Sequence, residues 1–166
     1  MLGYLLDTNI ISYWFQEDGL ENRNVVNHID GLDEGTPLRV SAITLGEIEY
    51  GHRVVSTTDR PIQVQFNRFV QTQLPHVLGV RRATRMYYGQ IRARLFEKYS
   101  PRNGRKTLRA EQLVDPVTAK TLGVQENDIW IAAQAREYNL VLVTHDRMTH
   151  LREAVSDILA IEDWAA

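Results

Sequence analysis

Two short apolar runs, Tyr4-Leu5-Leu6 and Leu140-Val141-Leu142-Val143-Thr144, each give way to an aspartate, Asp7 directly and Asp146 two positions on. Runs of this length and composition, bounded by polar turns, read as buried strands. Segments with helical spacing lie between them, so the connections are crossovers and the strands run parallel. An aspartate at the carboxyl end of a parallel strand stands where open α/β sheets place their ligand sites.

The remaining sequence completes an alternation of strands and helices. A strand is expected at 2–6, helices at 10–16 and 22–32, and a strand at 38–40. A helix at 43–55 follows, with Ser41 or Thr44 as its cap. Next come a helix at 61–73, a short strand at 77–78 and a long basic helix at 80–98. Residues 99–124 are the least patterned, because Pro101, Asn103-Gly104, Pro116 and Gly123 break any long element. One or two helical turns fit within 108–114. Order resumes with a helix at 127–138, a strand at 140–144, a short helix at 147–155 and a last strand at 158–161. The expected architecture is an α/β three-layer sandwich with a mainly parallel central sheet flanked by helices.

A length of 166 residues suits one domain with a real core, and 43% apolar residues are ordinary for a globular chain. The absence of cysteine excludes disulfides and thiolate metal sites. The opening residues lack the pattern of a signal peptide, and no apolar run approaches the roughly 20 residues that span a bilayer. The expectation is a soluble cytoplasmic protein with no membrane partner. Its formal net charge of −2 conceals an asymmetry. Between Arg81 and Arg109 stand ten basic residues and one acid, Glu97, so this stretch carries +9 and the remainder −11. Such a stretch is either a polyanion-binding surface or a solvated helix face with a charged loop.

Two further acids complete a set of four. Asp128 shares a helix face with Ile131, Ala132 and Ala135, where an unpaired carboxylate is costly unless it finds a partner or a metal. It could also serve as a helix N-cap. Glu47 lies beside the apolar stripe of its helix, and a surface salt bridge is its plainer role. Asp7 and Asp146 could likewise be a cap and a turn residue. Carboxylates gathered from four remote segments nevertheless make a good cage for a hard divalent cation.

The chain resembles the PIN-domain family, and most closely the VapC-type toxins of toxin–antitoxin pairs. The resemblance rests on Leu5-Leu6-Asp7-Thr8-Asn9, on Thr44, Glu47 and Gly51 in the segment 41–51, on Asn127-Asp128-Ile129-Trp130-Ile131-Ala132-Ala133, and on Leu142-Val143-Thr144-His145-Asp146, in the family's order. It implies one PIN-like domain over 1–166, with an extended basic loop at about 99–124 that looks longer than the family's usual link. It implies an endoribonuclease dependent on Mg²⁺ or Mn²⁺, with Asp7, Glu47, Asp128 and Asp146 catalytic. Asp7, Asp128 and Asp146 would hold the metal, and Thr8, Asn9 and Thr144 would donate hydrogen bonds to the carboxylates. It implies a homodimer, an RNA substrate and a cognate antitoxin protein. Arg102, Arg105, Lys106 and Arg109 are the candidate RNA contacts, and Tyr87, Tyr88 and Tyr99 could stack on bases or sit in the core. A nuclease of RNA processing outside any toxin pair, or a silent PIN scaffold that binds RNA or protein, are the alternatives.

Other families fit poorly. A haloacid-dehalogenase-type phosphatase needs a second aspartate where Asn9 stands. A phospho-receiver domain needs an adjacent acidic pair and a late lysine, and neither is present. His28, His52, His76, His145 and His150 show no zinc-ligand spacing, and no Gly-x-Gly-x-x-Gly follows a strand.

Overall fold

The structure, a computed structural model, describes residues 2–100 and 108–166. Five strands form one sheet: β1 (Gly3–Leu6), β2 (Leu38–Ser41), β3 (Val77–Leu78), β4 (Leu140–Val143) and β5 (Ile161–Glu162). Their order is β3-β2-β1-β4-β5 and every pairing is parallel. The chain therefore builds outward from β1 through β2 to β3, then crosses back to lay β4 and β5 on the other side. The crossing point lies between β1 and β4, paired Leu6 to Val143. Such a switch leaves a crevice beyond the carboxyl ends of both strands.

Alternation along the strands divides the core in two. Leu5 and Leu142 enter one cluster with Ile91 and Leu95 of α5 (Thr84–Tyr99), Ile129 of α6 (Glu126–Glu137) and Leu151 of α7 (Thr149–Val155). Leu6 and Val143 face the opposite way, against Ile10 and Ile11 of α1 (Thr8–Phe15), Val25 of α2 (Leu20–Asp30), Ile48 of α3 (Ala42–Val54) and Phe66 of α4 (Arg60–Gln73). Leu5 and Leu6 are wholly buried, each worth about 1.5–3 kcal/mol of transfer free energy. The three-layer sandwich expected from the sequence is the fold observed. Gly3 permits a close approach, since a Cβ there would lie 2.8 Å from Leu140 Cδ2.

Helix α3 is fixed by its first residues. Ser41 caps it, accepting a hydrogen bond from the Ile43 N–H (3.0 Å) and donating to Gln134 Oε1 (2.6 Å). Gln134 is wholly buried and also donates to the Leu78 carbonyl at 2.9 Å. A single core amide thus joins α6 to the start of α3 and to β3.

Three details refine the sequence expectations. The basic helix begins at Thr84, not at 80, because the Thr84 hydroxyl accepts from the Arg81 N–H (2.8 Å) and ends the preceding turn. The last strand is Ile161–Glu162, not 158–161, since pairing with Leu142 and Val143 selects it, while Leu159 is buried ahead of it. Between 108 and 124 there is one 3-10 turn, Ala110–Gln112, and an antiparallel bridge from Val114 to Thr121. Leu113, Leu122 and Val124 sink into the core beneath α5–α7. Pro101, Arg102, Asn103, Gly104, Arg105 and Lys106 lie outside the described residues. Among the described residues, no helix is long and apolar enough to cross a membrane.

Candidate active site

A cleft of about 680 Å³ opens beyond the carboxyl ends of β1 and β4, and its walls carry Asp7, Glu47, Asp128 and Asp146 together. Each reaches it from a different element. Asp7 ends β1 and is also the N-cap of α1; its N–H donates to the Val143 carbonyl at 3.0 Å, which seats it beside β4. Capping and cleft-lining coexist in this one residue. Asp128 stands in the first turn of α6, where it is not the N-cap: Gln125 holds that position, and Asp128 Oδ2 accepts from the Gln125 N–H at 2.7 Å. Glu47 lies mid-way along α3, and Asp146 follows β4.

The neighbouring polar groups hold these carboxylates in place. Asp7 Oδ1 accepts from the Thr8 N–H (2.8 Å), and Oδ2 from the Thr144 hydroxyl (2.8 Å). Thr144 Oγ1 in turn accepts from the Asp146 N–H at 3.2 Å. The Thr8 hydroxyl donates to Glu47 Oε2 (2.7 Å). Among the described residues, Asn9 has no hydrogen bond to a carboxylate; its amide donates to Thr144 Oγ1 at 3.4 Å and accepts from the His145 N–H at 3.1 Å.

The electrostatics are those of an anionic crowd. Burial pushes the Asp7 carboxyl above its ordinary range, and the charges of Asp146 and Glu47 add to it, against the hydrogen bonds from Thr144 and Thr8. Burial likewise pushes Asp128 up to about 6; the Gln125 N–H opposes this, and the charges of Asp7, Asp146 and Glu47 reinforce it. Like charges that raise one another's pKa in a cleft mark a candidate functional site.

An all-oxygen donor set fits a hard cation such as Mg²⁺ or Mn²⁺ in chemistry. Among the described residues, no three His, Asp or Glu side chains close upon one point as a preformed cage. One Asp128 oxygen is turned to its own helix, and Glu47 is held by neutral donors. That suits an ion which keeps several waters and takes only one or two protein carboxylates.

Several cleft residues escaped the sequence reading. Arg147 and His150 line the same cleft, as do Leu122 and Gly123. His150 Nδ1 lies 3.2 Å from the Leu122 carbonyl and Nε2 lies 2.9 Å from Asp115 Oδ2, so one imidazole fastens the 113–122 segment to α7. Met148, between Arg147 and α7, adopts a left-handed backbone (φ 37°), a strained conformation for a side chain of its size. Asn127 donates to Glu47 Oε1 at 2.9 Å. Its place one residue before Asp128 was the available signal. Of the candidate RNA contacts, Arg109 is exposed on a separate groove with Arg92, Glu111, Gln112 and Glu126. Arg102, Arg105 and Lys106 fall outside the described residues. Tyr99 is buried, Tyr87 packs on the core and Tyr88 stacks on Trp130 at 3.9 Å, so the core role holds for the tyrosines.

A doubly wound parallel sheet with four carboxylates at its switch point defines a class of α/β proteins with an acidic crevice. The family model of the PIN domain matches residues 4–153. Ribonuclease VapC2 of Haemophilus influenzae is 30% identical over 165 residues, 99% of each chain. The chain belongs to the PIN-domain family. Among solved structures, VapBC2 from Rickettsia felis bound to a DNA fragment from their promoter matches with a TM-score of 0.67 at 22% identity, covering 99% of both chains. VapBC-1 from nontypeable Haemophilus influenzae matches with a TM-score of 0.68 at 22% identity over the whole of both.

Proposed function

We propose that this chain is a divalent-metal-dependent endoribonuclease, the toxin of a toxin–antitoxin pair, acting as a homodimer in the cytoplasm and restrained by a cognate antitoxin. Similarity to proteins named Ribonuclease VapC2 and Ribonuclease VapC along nearly the full length supports the activity. The VapBC complexes among its structural neighbours support the antitoxin. The observation that carries the reading is the meeting of four carboxylates in one crevice, two of them made basic by burial and mutual repulsion.

In this reading Asp7, Asp128 and Asp146 hold the ion. A bound Mg²⁺ or Mn²⁺ would supply charge stabilisation at the scissile phosphate and an acidified water. The Thr144 hydroxyl and the Thr8 N–H orient Asp7, and the Gln125 N–H orients Asp128. Arg147, exposed on the cleft and without an ion pair among the described residues, offers a guanidinium to an RNA phosphate beside the acids.

Purified protein should cleave RNA with Mg²⁺ or Mn²⁺ and stop when the metal is chelated. Asp7→Asn should lower the rate on the order of 10³-fold, the scale of losing one electrostatic contributor to a transition state. Undiminished cleavage in chelator, or by Asp7→Asn, would remove the reading.

A further inference from the structure

Glu47 reaches towards both Asp7 and Asp128, the two cleft acids that burial makes harder to ionise, without being hydrogen-bonded to either. Its Oε2 accepts from the Thr8 hydroxyl (2.7 Å) and its Oε1 from the Asn127 side-chain amide (2.9 Å). Thr8 directly follows Asp7, and Asn127 directly precedes Asp128. One carboxylate on α3 therefore joins the start of α1, just past β1, to the first turn of α6, and the residues it grips are the chain neighbours of Asp7 and Asp128.

We infer that Asn127 is a positioning residue of this site, acting through Glu47 to set the spacing between Asp7 and Asp128. The inference rests on the reading of those two aspartates as holders of a divalent cation. Three features of the structure support it. Asn127 is the side-chain donor that α6 supplies to Glu47, and the grip is two-sided, one donor to each oxygen, which fixes the rotamer of a long side chain. Among the described residues, the Asp128 carboxylate accepts from the Gln125 N–H within its own turn and has no hydrogen bond to β1 or to Asp7. Finally, α3 and α6 are already locked together in the core by Ser41 and Gln134. The Asn127–Glu47 bond is therefore not needed to dock the helices. What it adds is alignment at the cleft, where partners that orient metal-holding carboxylates matter most.

This predicts a functional defect without a folding defect. Mn²⁺ binding to the full chain is measured by calorimetry for the wild type, Asn127→Ala, Glu47→Ala and the double variant, with metal-free melting recorded for each. Asn127→Leu, which keeps the side-chain volume and removes the donor, joins the set so that lost packing cannot imitate the effect. Asn127→Ala and Asn127→Leu should each weaken Mn²⁺ binding about ten-fold, the lower end of what loss of such a partner costs. Their metal-free melting should stay near that of the wild type. In the Glu47→Ala background, which removes the acceptor of the Asn127 amide, Asn127→Ala should change affinity less than about two-fold, because its route of action is already cut. The inference is overturned if Asn127→Leu binds Mn²⁺ as the wild type does, or if the two single effects multiply in the double variant. Wild-type protein that binds no Mn²⁺ would overturn the metal reading and this inference with it, an outcome distinct from a wild type that binds well and an indifferent Asn127.

Discussion

The crevice and helix α5 are both rich in one sign of charge, and the fold treats them in opposite ways. Arg81 of the turn before α5 pairs with Glu137 (2.6 Å), Arg92 with Glu126 (3.0 Å), Lys98 with Glu153 (3.0 Å) and Arg94 with Asp157. Glu126 and Glu137 belong to α6, and Glu153 and Asp157 lie on or just after α7. Four of the ten basic residues of this stretch are thus bound to acids across the helical layer, where they serve to join helices. Among the described residues, Asp7, Glu47 and Asp128 accept only from neutral donors, namely Thr8, Asn127, Thr144 and backbone N–H groups. Among the described residues none of the four cleft carboxylates has an ion pair. An excess of charge in sequence is therefore ambiguous; charge left without a counter-ion by the folded chain is the sharper sign of a site.

That contrast is most severely tested with metal. At a concentration about 100 times Kd, a bound ion should stabilise the wild type by about 2.7 kcal/mol. For a domain of this size the melting point should rise by about 5–10 °C. Asp7→Asn and Asp128→Asn should lose most of that rise, whereas Arg94→Gln, on the compensated surface, should keep all of it. An equal rise in all four proteins would mean that the ion binds elsewhere.

The next largest effect belongs to the compensated side. The Glu137 side chain is only 4% exposed and accepts from Arg81 and from the Thr84 hydroxyl (2.5 Å). Truncating it in Glu137→Ala strands the Thr84 hydroxyl and frees Arg81, so the fold should lose about 1–3 kcal/mol in chemical denaturation. Metal-free Asp7→Asn should show no such loss. Equal destabilisation by both would erase the distinction between structural and functional charge.

A smaller effect, of opposite sign, is expected at Asp128. Its pKa rises from 3.8 to about 6 on folding, so the folded state binds the proton more tightly than the unfolded chain. The resulting stabilisation is fully present below about pH 3.8 and is lost as pH rises through about 6. At pH 7 the charged carboxylate therefore opposes folding. After discounting for its partial exposure to solvent, Asp128→Asn should stabilise metal-free protein by about 1–2 kcal/mol at pH 7. The gain should vanish near pH 4. A gain that persisted at pH 4, or a loss at pH 7, would show that burial and repulsion do not govern this residue.

Much of this architecture is legible in sequence because it rests on local periodicity. Tyr4-Leu5-Leu6 and Leu140–Val143 are strands on pattern alone, and their adjoining acids then fall at a switch point. The last strand is not legible to the residue. In Ile158-Leu159-Ala160-Ile161 every position could be buried, and only pairing with Leu142 and Val143 decides that Ile161 begins it. The helix-joining pairs are hidden for a related reason, since Arg81 and Glu137 lie 56 positions apart and meet only through the packing of α5 on α6. Asn127 was visible as part of a motif, yet its grip on Glu47 requires α3 and α6 to be brought together. Distances in sequence conceal pairings of this kind, whereas patterns of period two or 3.6 reveal elements.

The slightest expected effect probes the basic residues that the fold leaves uncompensated. Arg82, Arg85 and Arg109 are exposed and have no ion pair among the described residues, unlike Arg94 and Lys98. A cation that already has a carboxylate releases little counter-ion when RNA arrives, because the carboxylate must first be displaced. A free one contributes about 0.7 to the slope of log affinity against log salt for each phosphate it neutralises on a single strand. Neutralising Arg94 and Lys98 together should therefore leave the slope of RNA binding unchanged. Neutralising Arg82, Arg85 and Arg109 together should flatten it by up to about 2, if each reaches a phosphate. A slope that responds to the paired residues instead would show that their ion pairs open for RNA and that α5 is a binding surface after all. A slope that responds to neither set would assign the basic segment to contacts with protein, leaving Arg147 as the cation beside the acids on which RNA binding is tested next.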